Sequence, residues 1–310
     1  MGKQKLKVNL QRFAEYPHTS GTQIYEKQFK ELITAVFAKQ AYFRDFFGGT
    51  IQALDGVSSN QKAFSVKTND MPVVIQDYDT DADVAFGAGT DNSSRFGERK
   101  EVIYLDEDVE YKWGWAYHEG IDKHTVNADF DAAVADRLEA QAQAKVAQFN
   151  MHHVNFIDAS AGINETLASF GEDDVLTMFN NLSKQFANNQ TVGVKVAKVS
   201  PDLYNAIVDH PKATTGKNSS VNIDQNSILT FKGFEIEQLP DTAFKEGTVL
   251  YAYIANVARA FTGINTARTI DHPDFDGKAL QGAGKAGEYI PEANKKAVAK
   301  VTMADEVPAG

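Results

Sequence analysis

The sequence contains no cysteine. That absence removes disulfides, thiolate nucleophiles, thiolate metal sites and iron–sulfur clusters together, leaving only oxygen and imidazole chemistry. Long apolar runs are missing as well. The longest uninterrupted one is Val249 to Ala255, far short of the ~18 residues a membrane-spanning helix needs, and no apolar segment with a small-residue cleavage site opens the chain. These absences predict a soluble protein that is not secreted. Positive charge is short: 31 basic against 42 acidic residues leave −11. The deficit is uneven, because residues 1 to 22 hold Lys3, Lys5, Lys7 and Arg12 against Glu15 alone, giving this arm +3 and the remainder −14. An acidic body repels polyanions and is not expected to coat nucleic acid, whereas the basic arm suits an acidic protein surface. A disordered solubilising tail is the alternative reading of the same four charges.

What is present is ordinary for a globular protein: 43% hydrophobic and 24% charged side chains over 310 residues, enough to bury a core. At about 150 residues per domain the length predicts two compact units. After the arm, Tyr25, Phe29, Leu32, Ile33, Val36 and Phe37 recur at helical spacing, and Phe43, Phe46 and Phe47 prolong that face to Gly48-Gly49; this predicts an amphipathic helix with Thr22 as its cap. Residues 62 to 76 and 100 to 113 read as the two legs of a hairpin, carried by Phe64, Val66 and Val73-Val74-Ile75 in the first and by Val102, Tyr104, Val109 and Tyr111 in the second. The 23 residues between them, 77 to 99, form a polar tip too long for an ordinary turn, so something outside the domain is expected to receive it. Its first half is acidic (Asp77, Asp79, Asp81, Asp83) and its second basic (Arg95, Arg99, Lys100). That polarity suits docking between copies and equally a self-paired loop.

Phe130, Val134, Leu138, Ala142, Val146, Phe149 and His153 follow one face at spacings of three or four, predicting a helix over 130–153, about 36 Å long, started by Asn127 or Asp129. Beyond Gly162 the pattern becomes mixed: a helix near 171–188, a strand near 194–199, a short helix opened by Ser200-Pro201-Asp202, a polar loop from Lys212 to Ser220, and strands near 228–239 and 248–262. A Gly-rich stretch, 277 to 287, precedes a final strand over 297–303.

Candidate chemistry is weak. Gly282-Ala-Gly-Lys-Ala-Gly287 has the GxGxxG spacing but no apolar strand leading in, and Pro291 stands where the nucleotide-binding helix would continue; a tight glycine turn is expected instead. Asp77, Asp79, Asp81 and Asp83 alternate like calcium ligands, yet Ala82 and Ala88 occupy the positions that need glycine and glutamate. His118, Glu119, Asp122 and His124 have imidazoles six residues apart rather than four, and His152-His153 are adjacent, so neither set presents two ligands on one helical face. No catalytic constellation, cofactor site or metal site is predicted. A basic arm, a long hairpin and a long helix without a core of their own point to an assembly subunit.

Five strings carry a resemblance: NLQRFAE at 9–15, ALDGVSSNQKAFSVKTNDMPVVI from Ala53, GERKEVIYLD from Gly97, SPDLYNAIVDHP from Ser200 and FDGKALQGAGKAGEYI from Phe275. In this order they resemble the major capsid (head) proteins of tailed bacteriophages infecting Gram-positive cocci, over nearly the whole chain. The resemblance implies an α+β Hong Kong 97-type capsid fold. Residues 1–25 would be the N-terminal arm, 26–54 an N-terminal helix region, 55–115 the extended E-loop and flanking strands, and 116–160 the peripheral domain with its spine helix. Residues 161–263 would form the axial domain, and 264–310 a return to the peripheral domain and the C-terminal tail.

The resemblance further implies a non-enzymatic shell protein that assembles into pentamers and hexamers around double-stranded DNA without reading its sequence. Its partners would be further copies of itself, a scaffold protein, and portal and head-completion proteins; its place would be the virion, after assembly in the host cytoplasm. Lys3, Lys5, Lys7, Arg12, Phe13, Asp79, Asp81, Arg95, Arg99 and Lys100 are the residues expected at subunit interfaces. The fold-like pattern starts near residue 22, leaving no room for a long scaffolding region, and no lysine, asparagine and glutamate can be matched to the isopeptide cross-link some relatives form. An encapsulin-like compartment shell is the nearest alternative, and a soluble metal-dependent hydrolase using the 118–124 cluster a remote one.

Overall fold

In the computed structural model the described residues are 41–49, 52–53, 62–68, 73, 75–81, 95–96, 101–126, 129–210, 219–222, 227–271 and 274–304. The predicted arm and the helix face from Tyr25 to Phe37 lie outside them, as do residues 212–218 of the polar loop. The elements, in chain order, are β1 (Gln52–Ala53), β2 (Lys62–Thr68), β3 (Leu105–Glu110), β4 (Trp113–Asp122), α1 (Phe130–Ser160), β5 (Ile163–Leu167), α2 (Glu172–Asn188), β6 (Lys195–Val199) and α3 (Pro201–Val208). They continue with β7 (Ser219–Asn222), β8 (Ser227–Phe231), β9 (Phe234–Gln238), β10 (Thr248–Ile254), β11 (Arg259–Asp271), β12 (Gly277–Tyr289) and β13 (Val298–Met303). The chain divides into two compact units, one of Val57–Tyr111 and a larger one of Met1–Gly56 with Lys112–Gly310.

The larger unit is built on a seven-stranded sheet in the order β5-β13-β10-β6-β9-β8-β7 and a four-stranded sheet in the order β1-β11-β12-β4. The apolar run from Val249 becomes β10, buried at all seven positions, with β13 and β6 antiparallel on either side. A strand covered on both faces reads as a continuous apolar run rather than an alternation. α2 buries Val175, Met178, Phe179, Leu182 and Phe186, one stripe at helical spacing, and the Phe179 ring meets Phe231 and Phe234 at 5.0 and 5.9 Å. α3 starts as its sequence dictates: the Ser200 hydroxyl accepts from the Leu203 amide at 3.4 Å and Pro201 occupies the first turn.

Residues 42–48 form consecutive turns rather than a regular helix, yet Phe43, Phe46 and Phe47 are buried as their spacing predicts, with Phe46 edge-on to Tyr253 at 4.8 Å. α1 outruns its predicted end by two turns, because Asn150, Val154 and Ile157 continue the buried stripe beyond Phe149. Asp129 is the cap, accepting from the amides of Asp131 and Ala132 at 3.1 and 3.2 Å.

Several sequence expectations are corrected. The strand predicted over 228–239 is two strands, β8 and β9, reversing at Lys232 and Gly233, whose φ angles are 52° and 84°. The strand predicted over 248–262 likewise breaks after β10 at Asn256, φ 66°. The GxGxxG stretch is not a turn: residues 282 to 287 lie inside the 13-residue β12. β12 pairs with β11 and β4, and its glycines leave room for rings of β4; a Cβ at Gly282 would overlap Tyr117, and one at Gly284 would come within 2.5 Å of Trp115 and of the Gly263 carbonyl. β13 sits in the seven-stranded sheet, beside β10 and β5.

The smaller unit contains the hairpin β2-β3, antiparallel with Ser65 opposite Asp108 and Lys67 opposite Asp106. Both legs are shorter than predicted: the predicted end of the second, Trp113, instead opens β4 in the larger unit, whose residues 114–122 were not predicted as a strand.

Candidate functional site

The hairpin legs pair through their backbones and carry an ion pair across them. Lys62 Nζ lies 2.6 Å from Asp108, and the Ser65 hydroxyl donates to the same carboxylate at 2.7 Å. The hydrogen bond from Lys62, then that from Ser65, holds the Asp108 carboxyl below the usual range. Toward the tip, Asp79 and Arg95 are brought together: the Asp79 amide donates to the Arg95 carbonyl at 2.9 Å and the Arg95 guanidinium to the Asp79 carbonyl at 3.0 Å. The Asp79 carboxylate turns back to accept from the Asp81 amide at 2.9 Å, an Asx turn, and Tyr78 meets Phe96 edge-to-face at 5.2 Å. The acidic and basic halves of the tip therefore contact each other within one chain. Lys3, Lys5, Lys7, Arg12, Phe13, Arg99 and Lys100 lie outside the described residues.

Sequence reasoning missed the apolar surface of this unit. Val73 and Ile75 are 91% and 92% exposed, and Tyr78, Phe96, Val102, Ile103, Tyr104 and Leu105 are all more than half exposed. Val73, Ile75, Val102 and Tyr104, expected as strand residues of the hairpin legs, lie beyond the ends of β2 and β3, and their apolar character gives no indication that this chain leaves them uncovered.

The histidine clusters dissolve into separate contacts in the larger unit. His118, on β4, has its ring 3.0 Å from the Gln281 amide. Glu119, beside it in sequence, is held by Arg137 and Gln141 of α1, and the Arg137 hydrogen bond lowers its carboxyl to about 2, with Gln141 second. Asp122 accepts from the His124 amide at 2.9 Å, closing a single helical turn at 123–125. His152 stacks flat on Trp113 at 3.9 Å. Among the described residues no group of three His, Asp or Glu is placed to hold a metal ion.

A buried charge lies in the seven-stranded sheet. Lys198 of β6, 2% exposed, is neutralised by Glu237 of β9 and by Asp45 at 3.4 Å. The Tyr253 hydroxyl donates to both Asp45 oxygens at 3.1 Å, and burial pushes that phenol well above its ordinary range. A cleft of about 830 Å³ opens here between residues 41–45 and the sheet. Lys198 is thus held by two carboxylates at this cleft.

No protein-family model and no curated protein matches the sequence. Solved structures do. A chain of the mature capsid of bacteriophage PhiM1 aligns at TM-score 0.59 and 10% identity over 86% of this chain and 88% of its own. A chain of the cyanophage P-SCSP1u capsid aligns at 0.59 and 10% over 87% and 90%. One from a virus-like particle of Pyrococcus furiosus aligns at 0.51 and 12% over 89% and 98%. Identities this low speak to architecture alone, and the mixed sheets, long helix and hairpin described above are that architecture: the chain has the α+β Hong Kong 97-type capsid fold.

Proposed function

We propose that this chain is the subunit of a closed protein shell, the major capsid protein of a tailed bacteriophage, built from pentamers and hexamers of identical copies around double-stranded DNA. The observation that carries the reading is the exposure of Val73, Ile75, Tyr78, Phe96 and Val102 to Leu105 in the hairpin unit, since a two-stranded hairpin of this size is marginal in water without further burial. Covering a Val, Ile or Phe side chain is worth about 1.5–3 kcal/mol, whereas an exposed ion pair contributes about 0–1 kcal/mol. Val73, Ile75 and Phe96 therefore outweigh Asp79, Asp81 and Arg95 as the contact with a neighbouring copy. The tip charges, with Arg99 and Lys100, set orientation, and the basic residues of the arm, Lys3, Lys5, Lys7 and Arg12, with Phe13, engage an acidic neighbour.

An acidic body suits the cargo. DNA that must slide inward during filling is impeded by strong phosphate contacts, and a body of −14 makes few. Scaffold, portal and head-completion proteins follow as partners of such a shell, with the finished virion as its place.

The test is electron microscopy and sedimentation of the full chain, alone and with its scaffold, beside a Val73→Ser, Ile75→Ser, Phe96→Ser triple variant. Wild type is expected to form closed shells, and the variant to keep its circular dichroism spectrum but remain unassembled. A wild-type protein that stays monomeric under every condition rejects the reading; shells filled with protein cargo instead of DNA would favour the encapsulin-like alternative.

A further inference from the structure

Where the second half of α1 meets the four-stranded sheet, two titratable side chains are buried face to face. Glu288, near the end of β12, and His153, on α1, are 3% and 5% exposed, with a carboxyl oxygen 3.7 Å from the imidazole Nε2. Aromatic rings enclose them: Phe47 and Phe149 have centroids 4.3 and 5.8 Å from that of His153. The Trp113 indole donates to the two carboxyl oxygens at 3.2 and 3.4 Å, while Nε2 of His153 has no hydrogen-bond partner among the described residues. The ionisable groups acting on the pair are Lys112, at the entry to β4, and His152, on α1. On the remaining sides β11 places Ala260 opposite Glu288, and residues 41–49 present Phe47.

One proton can be placed here in two ways. As a carboxylate and an imidazolium, the pair leaves two ions in an aromatic enclosure, each stripped of its hydration, with the indole as the neighbouring donor. As a carboxylic acid and a neutral imidazole, the O–H can donate to Nε2, the buried atom that lacks a partner, once a small side-chain rotation closes the gap. We propose that Glu288 and His153 hold a single proton as a neutral carboxylic acid–imidazole pair, with the proton on Glu288, so that α1 docks on the sheet without a buried ion.

The titration directions agree. Burial, partly offset by Trp113 and Lys112, pushes Glu288 up to about 7, and burial, reinforced by His152, pushes His153 down to about 3. Unfolded, the two groups titrate near 4.5 and 6.5. The depressed His153 contributes stability that is complete above 6.5 and lost on acidification toward 3; the raised Glu288 contributes stability that is complete below 4.5 and lost as pH rises to 7. Over the shared window from 4.5 to 6.5 the slopes oppose and cancel. The joint is therefore indifferent to pH there, a property neither residue has alone.

Equilibrium unfolding of the unassembled full chain in urea, at pH 4.5 and 6.5, tests this with Glu288→Gln and His153→Gln. One uncompensated proton over two pH units is about a 100-fold change in the unfolding constant. Relative to wild type, Glu288→Gln is expected to lose up to that factor on going to the acid end, and His153→Gln on going to the neutral end. The same pH response in all three proteins overturns the proposal. Should either variant fail to fold, the ¹⁵N spectrum of histidine-labelled wild type decides: a neutral His153 ring at pH 5 supports it, and an imidazolium there overturns it.

Discussion

Gly282 and Gly284 do their work by lacking a side chain in the middle of a paired strand. At Gly284 a Cβ would stand 2.5 Å from both the Gly263 carbonyl and the Trp115 ring, with backbone on one side and a buried indole on the other, so neither neighbour can move aside cheaply. Gly284→Ala is expected to cost about 1–3 kcal/mol, the usual range for overpacking a filled site, seen as a lower urea midpoint with an unchanged slope. Gly233→Ala provides the contrast, because nothing lies within 4 Å of its position and its φ of 84° is the sole obstacle; its smaller loss should come from strain in the β8–β9 turn. The glycine spacing was visible in the sequence, but its purpose was not. Glycine that admits a ring from the adjacent strand and glycine that permits a turn look identical until the pairing of β12 with β4 is known.

At the scale of elements, α1 is two helices in one. Its C-terminal part is buried through Phe149, His153, Val154 and Ile157, while Leu138 in its first half stays 40% exposed. That first half is tied to β4 by polar contacts, Arg137 and Gln141 on Glu119. Because Glu119 is lowered from 4.5 to about 2 by Arg137, its contribution is present above about pH 4.5 and is lost as pH falls toward 2. In a carboxyl-detected NMR titration Glu119 is expected to titrate well below the other glutamates, and to move toward its ordinary value in Arg137→Gln. Periodicity predicted α1, α2, α3, β6 and β13, since each carries its own apolar pattern or cap. It missed β4 even though Trp113, Trp115 and Tyr117 alternate with Gly114 and Ala116; the histidines and acids that follow carry the residue types of a helical metal motif and obscure that period of two.

For the whole molecule, the hairpin is an excursion from a finished body. Ala53 of β1 pairs with Thr262, Thr262 with Ala286, and Ala286 with Trp113 of β4, so the chain leaves and re-enters the larger unit on one row of the four-stranded sheet. Three inter-strand spacings separate those points, about 14 Å. Replacing residues 57–111 by a flexible linker of about eight residues, whose mean span is about 15 Å, is expected to leave the larger unit folded with its near-ultraviolet spectrum intact and to abolish assembly. Assembly of the shortened chain would remove the hairpin from the proposed interface.

The sequence by itself determined the absence of thiol chemistry, the basic arm on an acidic body, the positions of most helices and the existence of a hairpin, because composition, periodicity and caps are local properties. Only the tertiary structure decided that β13 joins the seven-stranded sheet, that Gly282 and Gly284 seat aromatic rings, that Asp79 meets Arg95, and that Glu288 faces His153. Each of those depends on which distant segments become neighbours, and local pattern carries no information about that. The uncovered state of Val73, Ile75 and Phe96 belongs with them, since an apolar side chain reads the same in sequence whether its own fold buries it or leaves it for a second copy.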